Sequence, residues 1–233
     1  MAERRSRGTL HGVIFVPYVR KVRAVLALKA IPYRLVSVMP GAMDAAFFAK
    51  SPLAKVPVWE EEGFLLPDSS AICAYLERIA PEPAVYPGDP RAFASTLFWE
   101  EYADSRLVEA CEPIFFQRVV RPRVLRQATD ESIVRRYVEE VIPPVLDQIE
   151  TLYCAPGPLN AACVPPAGRR VPASEPADVA SIALWSPLVN LEHVGVAIDP
   201  ERWPGVAALV AVLNGHPALE PIVAEERAAL GAG

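Results

Sequence analysis

The spacing of apolar residues changes period repeatedly over the first third of the chain. Thr9 to Phe15 is a short β-rich run that stops before Pro17, and Val19, Val22, Val25, Leu26 and Ala30 then recur at steps of three and four. The run predicts a strand. The spacing after it predicts a helix with Pro17 at its first position, where a missing N–H costs nothing. Tyr33 to Val38 alternates and is rich in β-formers, so a second strand follows. Strand, helix, strand implies a right-handed crossover onto a parallel neighbour. A short helix is expected over 42–50. Val56 to Glu60 and Phe64 to Leu66 flank a Glu-Glu-Gly turn, which predicts a hairpin. Asp68 then caps a helix to about Ala80, with Ile72, Tyr75, Leu76 and Ile79 on one face. This order, βαβ followed by ββα, is the thioredoxin-like arrangement.

Beyond it the pattern changes. Pro81, Pro83, Pro87, Gly88 and Pro90 interrupt ten residues and mark a linker. No further strand pattern follows. Arg91 to Arg121 and Asp130 to Tyr153 read as long amphipathic helices, bent where Pro113 and Pro143-Pro144 remove N–H donors. Shorter helices are expected at roughly 176–191, 203–215 and 217–229, after a loop over 154–172. The expected organisation is an α/β domain over 8–82, a linker over 83–90 and an all-α domain over 91–233.

Composition narrows the function classes. Hydrophobic residues make up 52% and charged residues 22%, which is a globular balance. A net charge of −5 argues against a nucleic-acid or anionic-membrane surface. The longest apolar run, Val206 to Leu213, is too short to span a bilayer, so a soluble, cytoplasmic protein is expected. The four cysteines, Cys73, Cys111, Cys154 and Cys163, have neither CxxC nor zinc spacing. Free thiols and no bound metal are the expectation, although Cys154 and Cys163 share a loop that a bridge could close.

The candidate chemistry lies in Lys55-Val56-Pro57-Val58 and Asp68-Ser69. Pro57 stands where a strand begins, and X-Pro is the one bond where cis is cheap. A cis bond there would leave the Val56 backbone able to pair with an extended peptide as an added strand. Asp68 and Ser69 open a helix, whose free N–H groups and dipole attract a carboxylate. Together they suit a small anionic peptide. Each residue also has an ordinary reading, Asp68 or Ser69 as a plain cap and Lys55 as a surface charge.

Several segments in order resemble the glutathione transferases. They are Pro17-Tyr18-Val19-Arg20-Lys21-Val22-Arg23, Ile31-Pro32-Tyr33, Lys55-Val56-Pro57-Val58, Asp68-Ser69-Ser70-Ala71-Ile72, Ala177-Asp178-Val179-Ala180, and Trp203-Pro204 through His216-Pro217-Ala218. The resemblance implies a thioredoxin-like domain plus a helical domain, a homodimer, and glutathione as co-substrate or ligand in a detoxifying transferase. It implies that Val56, beside Pro57, pairs with the cysteinyl backbone. Asp68 and Ser69 would meet the γ-glutamyl end and Lys55 would approach the glycyl carboxylate. An apolar electrophile would lie against Trp99, Tyr102 and Arg106, for which domain packing is the ordinary reading. Asp178 matches a helix-capping aspartate, with Glu175 and Pro176 at the cap and first position, and reads as structural.

The family pattern fails at one point. A thiol of pKa about 8.5 must be stabilised as thiolate to react. The family's donor hydroxyl or cysteine aligns with Gly12 in some classes and with Val16 in others. Neither has a donor, and Val16 excludes a mixed disulfide. Tyr18 is the nearest side-chain candidate, and His11 is expected to be a packed strand residue. Backbone N–H groups at the start of the Pro17 helix are what remains. The reading is glutathione conjugation with weak thiol activation. The alternatives are a non-catalytic binding or interaction module, and a glutathione-dependent lyase, isomerase or reductase.

Overall fold

A computed structural model describes residues 6–39, 41, 43–155, 157 and 177–231. Strand β1 (Gly8–His11), helix α1 (Pro17–Leu28), strand β2 (Tyr33–Val36), helix α2 (Ala45–Lys50), strands β3 (Val58–Glu61) and β4 (Phe64–Pro67) and helix α3 (Ser69–Ile79) follow in that order. The sheet runs β2-β1-β3-β4, with β1 parallel to β2 and both other pairs antiparallel. This is the thioredoxin-like arrangement expected from the apolar spacing. Glu62 and Gly63 join β3 to β4 with φ of 49° and 83°. Two left-handed residues form the tight turn whose twist matches paired strands, and Gly63 takes its place there without a Cβ penalty.

β1 is shorter than expected. It ends at His11, and 12–16 form a turn closed by Val16 N–H donating to the Val13 carbonyl at 3.1 Å. The reason lies across the fold. A Cβ at Gly12 would stand 2.5 Å from Val19 Cγ2, so the chain passes too close to α1 for a strand with side chains to continue.

From Pro90 the described chain is helical. Helix α4 (Pro90–Tyr102), a π-helical segment (Ala103–Leu107), α5 (Val108–Phe115), a second π segment (Phe116–Val120) and α6 (Arg121–Arg123) run on without a break. The helix is not interrupted at Pro113. Pro113 stays inside α5, and the irregular turns fall on either side of it. Helix α7 (Glu131–Arg136) and a third π segment (Tyr137–Val141) lead into α8 (Ile142–Leu152). Pro143 and Pro144 sit in the first turn of α8, directly after the third π segment. Then come α9 (Val179–His193), α10 (Pro204–Asn214) and α11 (Glu220–Gly231).

Helix α9 is the centre of the helical half. Its residues Val179 to Leu191 are buried apart from Ser181, and it packs against α1, α4, α5 and α10. A helix surrounded on all sides carries no polar stripe, which explains its lack of amphipathic pattern. Asp178 is itself the N-cap, accepting from Ser181 N–H at 2.7 Å and Ser181 Oγ at 2.6 Å. The expected cap Glu175 and first residue Pro176 lie outside the described residues, as does Cys163. Cys73, Cys111 and Cys154 are buried free thiols.

Candidate functional site

The strand registers bring the sequence-predicted residues to one end of the sheet. Val58 pairs with Pro67 in β4 and with His11 in β1. Val56-Pro57 therefore enter, Asp68-Ser69 leave, and the 12–16 turn into α1 begins, all beside the same register position. The Val56–Pro57 bond is cis. Val56 is buried, yet its N–H and C=O find no partner among the described residues. Lys55 is exposed; its backbone N–H donates to Ser51 Oγ at 3.1 Å and its carbonyl accepts from that hydroxyl at 2.8 Å.

Asp68 has φ of 90°, a conformation an L-residue keeps only where its surroundings hold it there. Its carboxylate accepts from Ala71 N–H at 2.9 Å and remains exposed. The cap and the binding role are compatible, because a carboxylate has room for more than one donor. Ser69, the first residue of α3, is buried, but its hydroxyl meets no partner among the described residues. Ser70 is the neighbour that does, donating to Asp104 Oδ2 at 3.2 Å and accepting from Lys21 Nζ at 3.0 Å.

At the start of α1, Val16 is the N-cap residue with no side-chain bond, and Pro17 is the first helical residue. The N–H groups of Tyr18 and Val19 have no partner among the described residues. Gly12 is excluded as a donor position on steric grounds, because Val19 fills the space its side chain would need. Tyr18 is a correction. Its hydroxyl donates to the Asp104 carbonyl at 2.7 Å. Burial, and then the nearby Asp104 and Glu112 carboxylates, push its pKa up to about 12. A phenol already bonded to a carbonyl has no second proton to offer a thiolate. His11 is buried and paired as a structural residue, with Nε2 2.7 Å from Glu60 Oε2, an oxygen that also accepts from Lys50 Nζ at 2.6 Å.

Trp99 requires a second correction. Trp99 is 0% exposed, its ring centroid 5.1 Å from that of Tyr153 and 5.2 Å from that of Tyr102. It is core and cannot line an open pocket. The Tyr102 hydroxyl donates to Gln148 Oε1 at 2.7 Å on α8, and Arg106 is exposed. One helical residue that meets the turn before α1 is Phe115, whose ring lies 5.9 Å from that of Phe15. Phe116, the next residue, is largely exposed.

Sequence reasoning also missed what lies beneath the site. Arg20, Lys21 and Arg23 are all buried. Lys21 Nζ bonds Glu100 at 2.9 Å and also Asp104. Burial works against its charge, but these carboxylates outweigh it and raise its pKa. Three cations within about one turn of a helix packed on both faces are the available signal, since they cannot all reach water.

A profile described as the glutathione S-transferase N-terminal domain matches residues 10–84. Over 207 residues the chain is 30% identical to maleylacetoacetate isomerase of Pseudomonas aeruginosa, covering 85% of this chain and 87% of that one. The chain belongs to the glutathione S-transferase family. It is also 34% identical to the probable glutathione S-transferase GSTU6 of Oryza sativa, over 46% of this chain and 48% of the relative. The match thus spans about half the length of that first relative. A solved glutathione S-transferase-I bound with lactoylglutathione has the same fold, with a TM-score of 0.75, 20% identity, and coverage of 94% and 99%. Among the described residues no cluster of His, Cys, Asp or Glu would hold a metal, and no helix is long and apolar enough to cross a membrane.

Proposed function

We propose that this chain is a glutathione transferase whose thiol-activating group is the open end of α1. The observation that supports this reading is the set of unpartnered polar groups at one end of the sheet. They are the Val56 backbone, the Ser69 hydroxyl and the Tyr18 and Val19 N–H groups. Val56 would pair with the cysteinyl backbone of glutathione. Ser69 and the α3 N-terminus would take the γ-glutamyl carboxylate, and Asp68 the γ-glutamyl ammonium. Lys55, exposed and close in sequence, would take the glycyl carboxylate.

The thiolate would then accept from the N–H groups at the start of α1, with the helix dipole adding about 0.3–1 kcal/mol, or up to about 2 in a buried setting. A side-chain hydroxyl would give about 1.5–3 kcal/mol. Conjugation is therefore expected to be slow with ordinary aromatic halides. The electrophile would lie against Phe15, in the turn itself, whose ring packs on Phe115. Calorimetric titration with glutathione tests the reading directly; no heat of binding would reduce the chain to a non-catalytic scaffold. A screen of halides, epoxides, peroxides and disulfides then tests the transferase step.

One observation favours a second reading, a glutathione-dependent isomerase. It is the identity to maleylacetoacetate isomerase over most of both chains. An isomerase regenerates its glutathione, so turnover of a cis-olefinic acid at catalytic glutathione concentration would favour it over conjugation.

A second copy of the chain is the expected partner. Phe64 of β4 and Phe93, Leu97 and Phe98 of α4 are large apolar side chains, each more than 40% exposed. Light scattering is expected to give twice the chain mass of 25.4 kDa; the single-chain mass at micromolar concentration would refute the pairing. A cytoplasmic location accords with the buried free thiols.

A further inference from the structure

Helix α9 hydrogen-bonds the turn before α1 through Asn190, and its His193 ring stands edge-on to that of Phe15 at 6.4 Å. Asn190 Nδ2 donates to the Phe15 carbonyl at 3.0 Å, and its Oδ1 accepts from Arg20 Nη2 at 2.7 Å. Asn190 and Arg20 are buried. The guanidinium also donates from Nε to both Glu226 oxygens at 3.0 Å and from Nη1 to the Ser186 carbonyl. Glu226 in turn faces His193 Nε2 at 2.8 Å.

The direction of these bonds follows from chemistry. Arginine can only donate and a carbonyl can only accept, so the asparagine must turn its oxygen to Arg20 and its nitrogen to Phe15. An amide is the group that satisfies both at once. A carboxylate would serve Arg20 and repel Phe15. The Phe15 carbonyl belongs to the peptide that enters Val16, the N-cap of α1. Its orientation sets that of the next peptides, and hence the aim of the Tyr18 and Val19 N–H groups. The backbone of this turn is tied by Gly12 N–H to the Val36 carbonyl at 2.9 Å, Val16 N–H to the Val13 carbonyl at 3.1 Å and Arg20 N–H to the Val16 carbonyl at 2.9 Å. All three are local to the α/β half.

We infer that Asn190 is a positioning residue for the thiol: held by buried Arg20, it fixes the Phe15–Val16 peptide so that the start of α1 points at the cysteinyl sulfur. The acidity of bound glutathione then depends on a helix of the other half of the molecule. This rests on the reading that glutathione binds here with its sulfur at the start of α1. In a chain with a donor side chain at position 16, that dependence would be slight. With Val16 there, the backbone is what acts on the thiolate.

Two variants separate positioning from charge. N190A removes the bond to Phe15 without adding charge; N190D removes it and keeps a partner for Arg20. Both are expected to lower the thiolate fraction of bound glutathione about tenfold at fixed pH, read from the ultraviolet absorbance of the thiolate. Affinity for S-methylglutathione, which has no thiol to ionise, is expected to stay within about twofold of wild type. A loss of both would indicate general damage and overturn the proposal. So would an effect confined to N190D, which would be charge alone, or an unchanged thiolate titration in N190A. If wild type fails to bind S-methylglutathione, the ligand reading has failed. Asn190 is then judged by amide exchange in the free protein, where both variants should speed exchange at residues 13–19 about tenfold while exchange in α9 holds. Unchanged exchange there would sink the positioning role.

Discussion

The two sides of α1 handle polarity in opposite ways. Toward the helical half, Arg20, Lys21 and Arg23 are buried and answered by carboxylates: Glu226 for Arg20, Glu100 and Asp104 for Lys21, Glu225 for Arg23. At its N-terminal end, two backbone N–H groups, the Val56 backbone and the Ser69 hydroxyl have no described partner. The fold pairs the charges in one place and leaves weaker groups open a few residues away, at the end where the proposed ligand would sit. The closed side serves another purpose. Removing one member of a buried pair leaves an uncompensated charge, so the pairs hold the two halves in register around the site.

The strongest test of that contrast is Glu226→Ala. Arg20 and His193 would lose their shared acceptor, and stability should fall by about 3–5 kcal/mol in urea unfolding. A loss below about 1 kcal/mol would mean that this side is not closed in the sense argued. The same residue carries a pH signature. Burial pushes its carboxyl up, but Arg20 and the hydrogen bonds from His193 and Arg20 outweigh burial and hold it below the ordinary 4.5. A depressed folded pKa contributes stability above the unfolded value and loses it as pH falls through the folded one. Wild type should therefore lose stability below about pH 4.5 more steeply than Glu226→Gln, and parallel curves would contradict the pairing.

At the open end, Ser69→Ala should weaken glutathione binding by about ten- to a hundredfold, the loss of a hydrogen bond to a charged group worth about 1.5–3 kcal/mol. Stability should change by less than about 0.5 kcal/mol, since the hydroxyl has no described protein partner. An unchanged dissociation constant would remove Ser69 from the site.

Val16→Ser places a side-chain hydroxyl where Val16 has no donor. Val16 is half-buried at the N-cap, so serine fits and should add about 1.5 kcal/mol of thiolate stabilisation, roughly a tenfold gain in conjugation rate. No gain, or a wild type already fast with aromatic halides, would mean that another donor acts.

The smallest effect is expected from Tyr18→Phe. Its hydroxyl serves the Asp104 carbonyl, so the change should cost about 1 kcal/mol of stability and leave the titration of bound glutathione where it was. A shift in that titration would restore Tyr18 as the activating group.

Much of this was readable before any coordinates. The strand–helix–strand pattern, the Asp68 cap and the Pro17 helix start are local in origin, because capping, proline geometry and apolar period act over a few residues. The end of β1 was misplaced because the obstacle at Gly12 is Val19, a contact across the turn. Trp99 was assigned to a pocket because an aromatic on an amphipathic helix reads alike from either side; Tyr153, far along the chain, decides which way it faces.

The sequence by itself determined the thioredoxin-like order, the all-α second half, the Val56-Pro57 and Asp68-Ser69 elements, and the absence of a donor at Gly12 and Val16. Tertiary structure alone decided which polar groups are answered. Arg20 meets Glu226 across 206 residues of chain, and Asn190 meets Phe15 across 175. A charged residue carries no mark of its partner in its own neighbourhood. Whether it is a solvated surface group or a buried tie is set by what the fold brings to it, and here that is what separates the closed side of α1 from the open one.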